Sequence, residues 1–84
     1  MLLARPNERG YPRLGIIIGK RAAKLAVQRN RFKRTIREAF RLSRQQLKNW
    51  DYLVIGKPGI ADQSSAQIRH WFEKSWRKLH RNKE

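Results

Sequence analysis

Two sets of residues in this 84-residue chain could do chemistry. The first is its acids and histidines. A metal-dependent or acid–base nuclease needs several such groups to converge on one phosphate. Here they are scattered: Glu8 in a turn, Glu38 among arginines, Asp51 after a helix, Asp62 in a loop, Glu73 and Glu84 late. His70 and His80 fall on one helical stretch, roughly 80° apart in direction and about 15 Å apart along the axis. Neither has a sequence partner, and both read as surface or boundary residues. The second set is basic. The stretch AVQRNRFKRTIREAFR (26–41) holds six Arg or Lys among sixteen residues. The chemistry open to them is phosphate recognition, because planar guanidinium forks grip phosphate oxygens bidentately and stack on bases.

Helical geometry sorts that stretch into two faces. With Phe32 set at zero, Ile36, Ala39, Phe40, Ser43 and Leu47 fall within an arc of roughly 100°, a core-facing stripe. Lys33, Arg34, Arg37, Arg41, Arg44 and Lys48 occupy the adjoining arc of about 100°, and Asn30 projects into its middle. A solvated helix face ordinarily mixes signs to form i,i+4 pairs. Here Glu38 is the only acid between residues 27 and 48. It lies on the flank near Arg31 and Arg34, where it tethers arginine side chains rather than a metal. So many like charges within about three turns repel one another unless a polyanion neutralises them. Asn30 sits close to the helix start. It either caps the first turn or turns its amide to a base edge or phosphate.

The whole composition points the same way. Twenty-one Lys and Arg against six Asp and Glu give a net charge of +15. Nucleic acid is the leading partner for such a chain, ahead of an anionic membrane. The length fits one domain over 1–84. With no cysteine, disulfides and thiolate metal sites are excluded. No apolar run approaches the roughly 20 residues that span a bilayer, and the start MLLARPNERG lacks the apolar core of a signal peptide. A cytoplasmic location is the expectation.

The elements that must position the basic strip follow in order. Leu2 to Arg5 reads as the end of a strand closed by Pro6. NERGYP (7–12) reads as a turn, and RLGIIIGK (13–20) as a buried strand. These two strands are expected to pair as an antiparallel hairpin. A helix is predicted from about Val27 to Lys48, a buried strand at YLVIG (52–56), and a loop at KPGIADQSS (57–65). Ser64 with Gln67 matches a capping box. It opens a last helix, about Ser65 to Arg81, with Ile68, Trp71, Phe72, Trp76 and Leu79 on one face. Trp71 and Trp76 are therefore read as core residues. Arg69, Lys74, Arg77, Lys78, Arg81 and Lys83 are either auxiliary phosphate contacts or solubilising charge. Two strands flanking one helix suggest a parallel βαβ unit, right-handed by the general rule.

The string RNRFKRTIREAFR (29–41) closely resembles the RNR signature of the bacterial ribonuclease P protein component. That signature has an Arg-Asn-Arg start, a Lys-Arg pair and an Arg-Glu-x-x-Arg end on one helix. RLGIIIGK (13–20) is similar to the family's Arg-Leu-Gly strand ending in a Lys, AV (26–27) stands before the motif, and YLVIGKPG (52–59) resembles the strand and turn that follow. The resemblance covers essentially the whole chain. It implies an α+β fold, an α/β sandwich of a small sheet with two main helices. That fold is like one ribosomal protein domain and has a left-handed βαβ crossover, against the general rule.

The resemblance also implies a function: the protein subunit of a ribonucleoprotein endoribonuclease that removes the 5′ leader from precursor tRNA. The RNA subunit carries catalysis with Mg2+, and the protein alone is inactive, binds no cofactor and helps hold substrate. By position, Arg29, Asn30, Arg31, Lys33, Arg34, Arg37 and Arg41 are expected to contact RNA, and the strip geometry adds Arg44 and Lys48. Family members usually begin with a further helix and a strand carrying aromatic residues, which complete a cleft for the single-stranded leader. This sequence starts within the family's second strand, so either its start is misassigned or the chain is a truncated form. An open sheet edge would then favour self-association, against which a monomeric mass would count. The alternatives are a general or ribosome-associated RNA-binding protein, a membrane-active basic helix, disfavoured because strands occupy its apolar face, and a self-sufficient nuclease, disfavoured by the scattered acids.

Overall fold

Strand order is set by the segment that is last of the three in sequence. A computed structural model describes residues 1–82; Lys83 and Glu84 lie outside the described residues. The elements are β1 (Leu2–Pro6), β2 (Arg13–Ile17), α1 (Ala26–Ser43), β3 (Trp50–Ile55), a 3-10 turn (Ile60–Asp62) and α2 (Ser65–Asn82). β3 lies between the other strands, giving the order β1-β3-β2. β1 pairs antiparallel with β3, matching Leu2 with Val54 and Ala4 with Tyr52. β2 pairs parallel with β3, matching Leu14 with Tyr52 and Ile16 with Val54.

The hairpin expected between residues 2–6 and 13–20 is therefore not formed. The loop at 7–12 instead crosses the end of β3, a gap of two strand spacings, about 9.5 Å. Asn7 fastens that crossing. Its backbone N–H donates to the Asn49 carbonyl at 3.2 Å, its Nδ2 donates to Asp51 Oδ1 at 2.9 Å, and its Oδ1 accepts from the Arg9 N–H at 2.9 Å. Gly10, at φ 80°, completes the reversal in the left-handed region that favours glycine. The expected parallel βαβ unit, β2-α1-β3, is present.

Period-2 alternation decides which face of the sheet is covered. Along β3, Trp50, Tyr52 and Val54 are buried while Asp51, Leu53 and Ile55 are only half-buried. Both helices pack on the Tyr52 face: the Phe40 ring of α1 meets Tyr52 edge-on at 6.3 Å, and His80 of α2 meets Trp50 edge-on at 5.1 Å. Phe32, Ile36, Val54, Ile68 and Phe72 are fully buried between the layers. Each such side chain contributes about 1.5–3 kcal/mol relative to exposure. The predicted stripes of both helices are thus the core, with Phe40, Trp71 and Leu79 at its margin.

α2 begins with the capping box anticipated from Ser64 and Gln67. The Gln67 N–H donates to Ser64 Oγ at 3.1 Å, and the Ser64 N–H donates back to Gln67 Oε1 at 2.9 Å. α1 ends at Ser43, five residues before the expected Lys48. Its chain tightens into turns in which the Gln46 and Leu47 N–H groups donate to the Ser43 carbonyl. That tightening drops Leu47 into the core and lets the chain enter β3 at Trp50.

His80 is more enclosed than the surface or boundary position expected of it. It is buried, 9% exposed, with Nε2 2.8 Å from the Tyr52 hydroxyl and its ring between Trp50 and Trp76. Trp76 is its i−4 neighbour on α2, but the hydrogen-bond partner Tyr52 comes from the sheet, which no local spacing signals.

Candidate nucleic-acid interface

α1 carries the basic strip beside the stripe that Phe32, Ile36 and Ala39 bury in the core. Its start is unusual: Leu25 is the N-cap in an extended conformation without a side-chain cap, and the first turn holds no acid. The macrodipole there favours anions, yet the local side chains are Lys24 and Arg29. Arg29 compensates by donating through Nη1 to the carbonyls of Ala23 at 2.7 Å and Lys24 at 3.0 Å, which clamps the entry loop.

Asn30 is the fifth residue of the helix and so does not cap it. Because the helix starts at Ala26, Asn30 lies one turn in, and its side chain is exposed. It lines a shallow groove of about 440 Å³ with Arg34, Arg37, Glu38 and Arg41. The 3.6-residue repeat brings these five to one face. Among the described residues, the side chains of Arg34 and Arg37 make no hydrogen bond or ion pair within the chain, and both residues are exposed.

Other members of the expected set are engaged elsewhere. Arg31 does not pair with Glu38; its Nη2 reaches the carbonyl oxygens of Ala61 and Gln63, the latter at 2.8 Å. Glu38 instead forms an i,i+3 ion pair with Arg41. The Arg41 hydrogen bond, then the charges of Arg41 and Arg69, hold the Glu38 carboxyl below its ordinary value. The same pair raises Arg41. Lys33 is half-buried and Arg44 exposed just past the helix end. Lys48, beyond the helix, places Nζ 5.1 Å from the Trp50 ring centre. The structure thus gathers Asn30, Arg34, Arg37 and Arg41 in the groove and sets Arg29 and Arg31 to fastening α1.

A second concave surface lies on the sheet, the face on which the resemblance places part of a cleft for the single-stranded leader; its lining residues were not singled out from the sequence. The sheet face away from the helices forms a groove of about 550 Å³ lined by Leu3, Gly15 and Leu53 with Arg5, Arg13 and Asp51 at one end. Gly15 keeps its floor flat, since a Cβ there would lie 3.3 Å from Leu53 Cδ1. Arg13 grips Asp51 bidentately, Nε to Oδ1 and Nη2 to Oδ2, both 2.7 Å. These bonds, then the one from Asn7, hold the Asp51 carboxyl far below the usual carboxylate range. Leu3 and Ile17 on the open sheet face, 47% and 56% exposed, were the available signal, since both alternate against buried neighbours.

The carboxylates remain apart. Among the described residues no three of His, Cys, Asp and Glu stand close enough to hold a metal ion. No helix among them is long and apolar enough to cross a membrane.

Comparison with known proteins agrees with this geometry. The Ribonuclease P family model matches residues 1–80. The chain is 46% identical over 83 residues to the ribonuclease P protein component of Ectopseudomonas mendocina, covering 99% of this chain and 62% of that protein. It is 45% identical to the Azotobacter vinelandii protein of the same name, covering 99% and 64%. The chain therefore spans somewhat under two thirds of the length of these relatives. Among solved structures, the Staphylococcus aureus RNase P protein superposes with a TM-score of 0.81 at 30% identity, covering 94% of this chain and 72% of that one. The Thermotoga maritima RNase P protein gives 0.80 at 28% identity, covering 89% and 74%. By sequence along nearly its whole length and by its α+β fold, this chain belongs to the ribonuclease P protein family.

Proposed function

We propose that this chain acts as the protein subunit of ribonuclease P, a cytoplasmic ribonucleoprotein that removes the 5′ leader from precursor tRNA. The observation that carries the reading is the α1 groove, where Arg34 and Arg37 stand beside Asn30 with no partner among the described residues. Guanidinium groups held on a rigid helix lose little entropy on meeting phosphates. They release condensed counterions from RNA as they bind.

In this reading the groove docks on the RNA subunit, which supplies the chemistry together with Mg2+. Two of the protein's own carboxylates are already held by arginines, Asp51 by Arg13 and Glu38 by Arg41, which suits a binding role. The open sheet face offers precursor tRNA a flat apolar floor with Arg5 and Arg13 at one end. That surface fits an unstacked strand better than a duplex, because bases stack on flat apolar surfaces only when splayed.

The test is reconstitution with ribonuclease P RNA at low Mg2+, with 5′ processing of precursor tRNA as the readout. The reading requires the protein to raise processing, Arg34→Ala with Arg37→Ala to weaken assembly, and the protein alone to leave precursor tRNA intact. Tight RNA binding with no effect on processing would favour a general or ribosome-associated RNA-binding protein.

A further inference from the structure

Beyond docking through α1 and the sheet, we propose a second, independent RNA contact: a base-stacking site for single-stranded RNA centred on Trp71, on the far side of α2. It starts from a difference among the three tryptophans. Trp50 and Trp76 are buried, at 8% and 4% exposure. Trp71 is half-buried and lies at the junction of two shallow grooves. One, of about 300 Å³, runs along Lys57 and Pro58; the other, of about 490 Å³, runs along Gln67 and Lys74; Gln63 and Trp71 belong to both.

The sequence builds this arrangement from two elements. On α2, Gln67, Trp71 and Lys74 follow the i, i+4, i+7 spacing that puts them on one face. From the loop after β3, Gly59 at φ 92° turns the chain so that Lys57 returns beside the same ring. The loop is already fixed, because Arg31 holds the carbonyls of Ala61 and Gln63. A ring with one lysine in each flanking groove and two side-chain amides within reach has the parts that bind an unpaired strand. The ring stacks a base, the ammonium groups neutralise the backbone on either side, and the amides meet base edges or phosphates.

The site faces away from the α1 groove. Arg69, whose charge acts on Glu38 of α1, lies on α2 roughly 160° around from the Gln67–Trp71–Lys74 face. The two surfaces thus present different sides of the molecule. The partner proposed for this side is a single-stranded segment distinct from the one docked on α1, and the chain's +15 charge favours an anionic occupant over an apolar peptide.

The test uses an unpaired oligoadenylate and a duplex RNA of equal length with the full chain. Oligoadenylate quenches tryptophan fluorescence, and Trp71→Phe removes most of the quenching, since the other two rings are buried. Trp71→Ala weakens single-strand affinity by roughly 5- to 150-fold, the range for one stacked base, with little change for the duplex. Lys57→Ala with Lys74→Ala, both exposed and harmless to the fold, lowers the salt slope for the single strand by about 1.4. In an Arg34→Ala, Arg37→Ala background the quenching persists, which separates this site from the α1 reading. Undiminished quenching in Trp71→Phe overturns the proposal. So does an unchanged salt slope in the lysine variant, or quenching by anionic phospholipid vesicles but not by oligoadenylate.

Discussion

The guanidinium of Arg31 donates to the carbonyl oxygen of Gln63 at 2.8 Å, tying the most basic helix to the loop that precedes α2. The second arginine of the Arg-Asn-Arg start thus serves the fold. Its neighbour Asn30 and the arginines at 34 and 37 face outward.

Arg31→Ala is expected to cost about 1–3 kcal/mol of stability, because charged hydrogen bonds to two carbonyls are lost together. Urea denaturation measures the cost. RNA affinity at fixed folded concentration should keep its salt slope; a reduced slope with unchanged stability would place Arg31 on the RNA instead.

Arg34→Ala and Arg37→Ala should behave in the opposite way. Each is expected to leave stability within about 0.5 kcal/mol, as surface substitutions usually do. Each should lower the slope of log affinity against log salt by roughly 0.7–0.9. Filter binding to ribonuclease P RNA across a salt series checks both numbers.

Tyr52 and His80 make a prediction in alkali. Burial pushes the Tyr52 hydroxyl up to about 12, from about 10 in an unfolded chain. A raised value means that the folded state keeps the proton longer. The stability this confers is complete below pH 10 and is lost as pH rises toward 12. Tyr52→Phe should flatten that alkaline decline. At neutral pH it should cost about 1–2 kcal/mol for the hydrogen bonds to His80 and the Lys48 carbonyl. Thermal melts at several pH values separate the two effects.

Gly56→Ala tests packing just beyond β3. A Cβ there would meet Ile18 Cδ1 at 2.8 Å, Cγ1 at 2.9 Å and Cβ at 3.1 Å. Ile18 is branched and buried, so it cannot swing aside. Overpacking of this kind costs about 1–3 kcal/mol, readable as a lowered urea midpoint with unchanged RNA salt slope.

Much of this was legible in the residues. The apolar beat of Phe32, Ile36 and Ala39 marked the buried face of α1, and Ser64 with Gln67 marked the start of α2. Both signals are local, acting within one or two turns. What escaped was long-range. The pairing of β1 with β3 rather than β2 depends on where residues 50–55 insert, and neither partner strand encodes that alone. Arg31 and Arg34 are alike in the sequence; only the loop at 61–63, brought alongside by folding, distinguishes them. His80 likewise found its partner on another layer. At the candidate interface, helical geometry traced the outward arc as far as Arg41, while Arg44 and Lys48 fall past the end of α1. Of the two roles open to Asn30, capping is excluded because the N-cap is Leu25, which carries no side-chain cap.

The central place of β3 has a consequence for the order of events in the cell. Leu2 pairs with Val54, so the sheet cannot close until a ribosome has released the chain past that point. Until then α1 is a highly charged segment with nothing to pack against. Distant pairing of this kind slows folding, and an incompletely folded chain exposes its apolar strands. A polyanion that binds only the finished helix face would draw the population toward the native state by mass action. With the RNA partner proposed above as that polyanion, the partner would also act as a folding assistant for this chain.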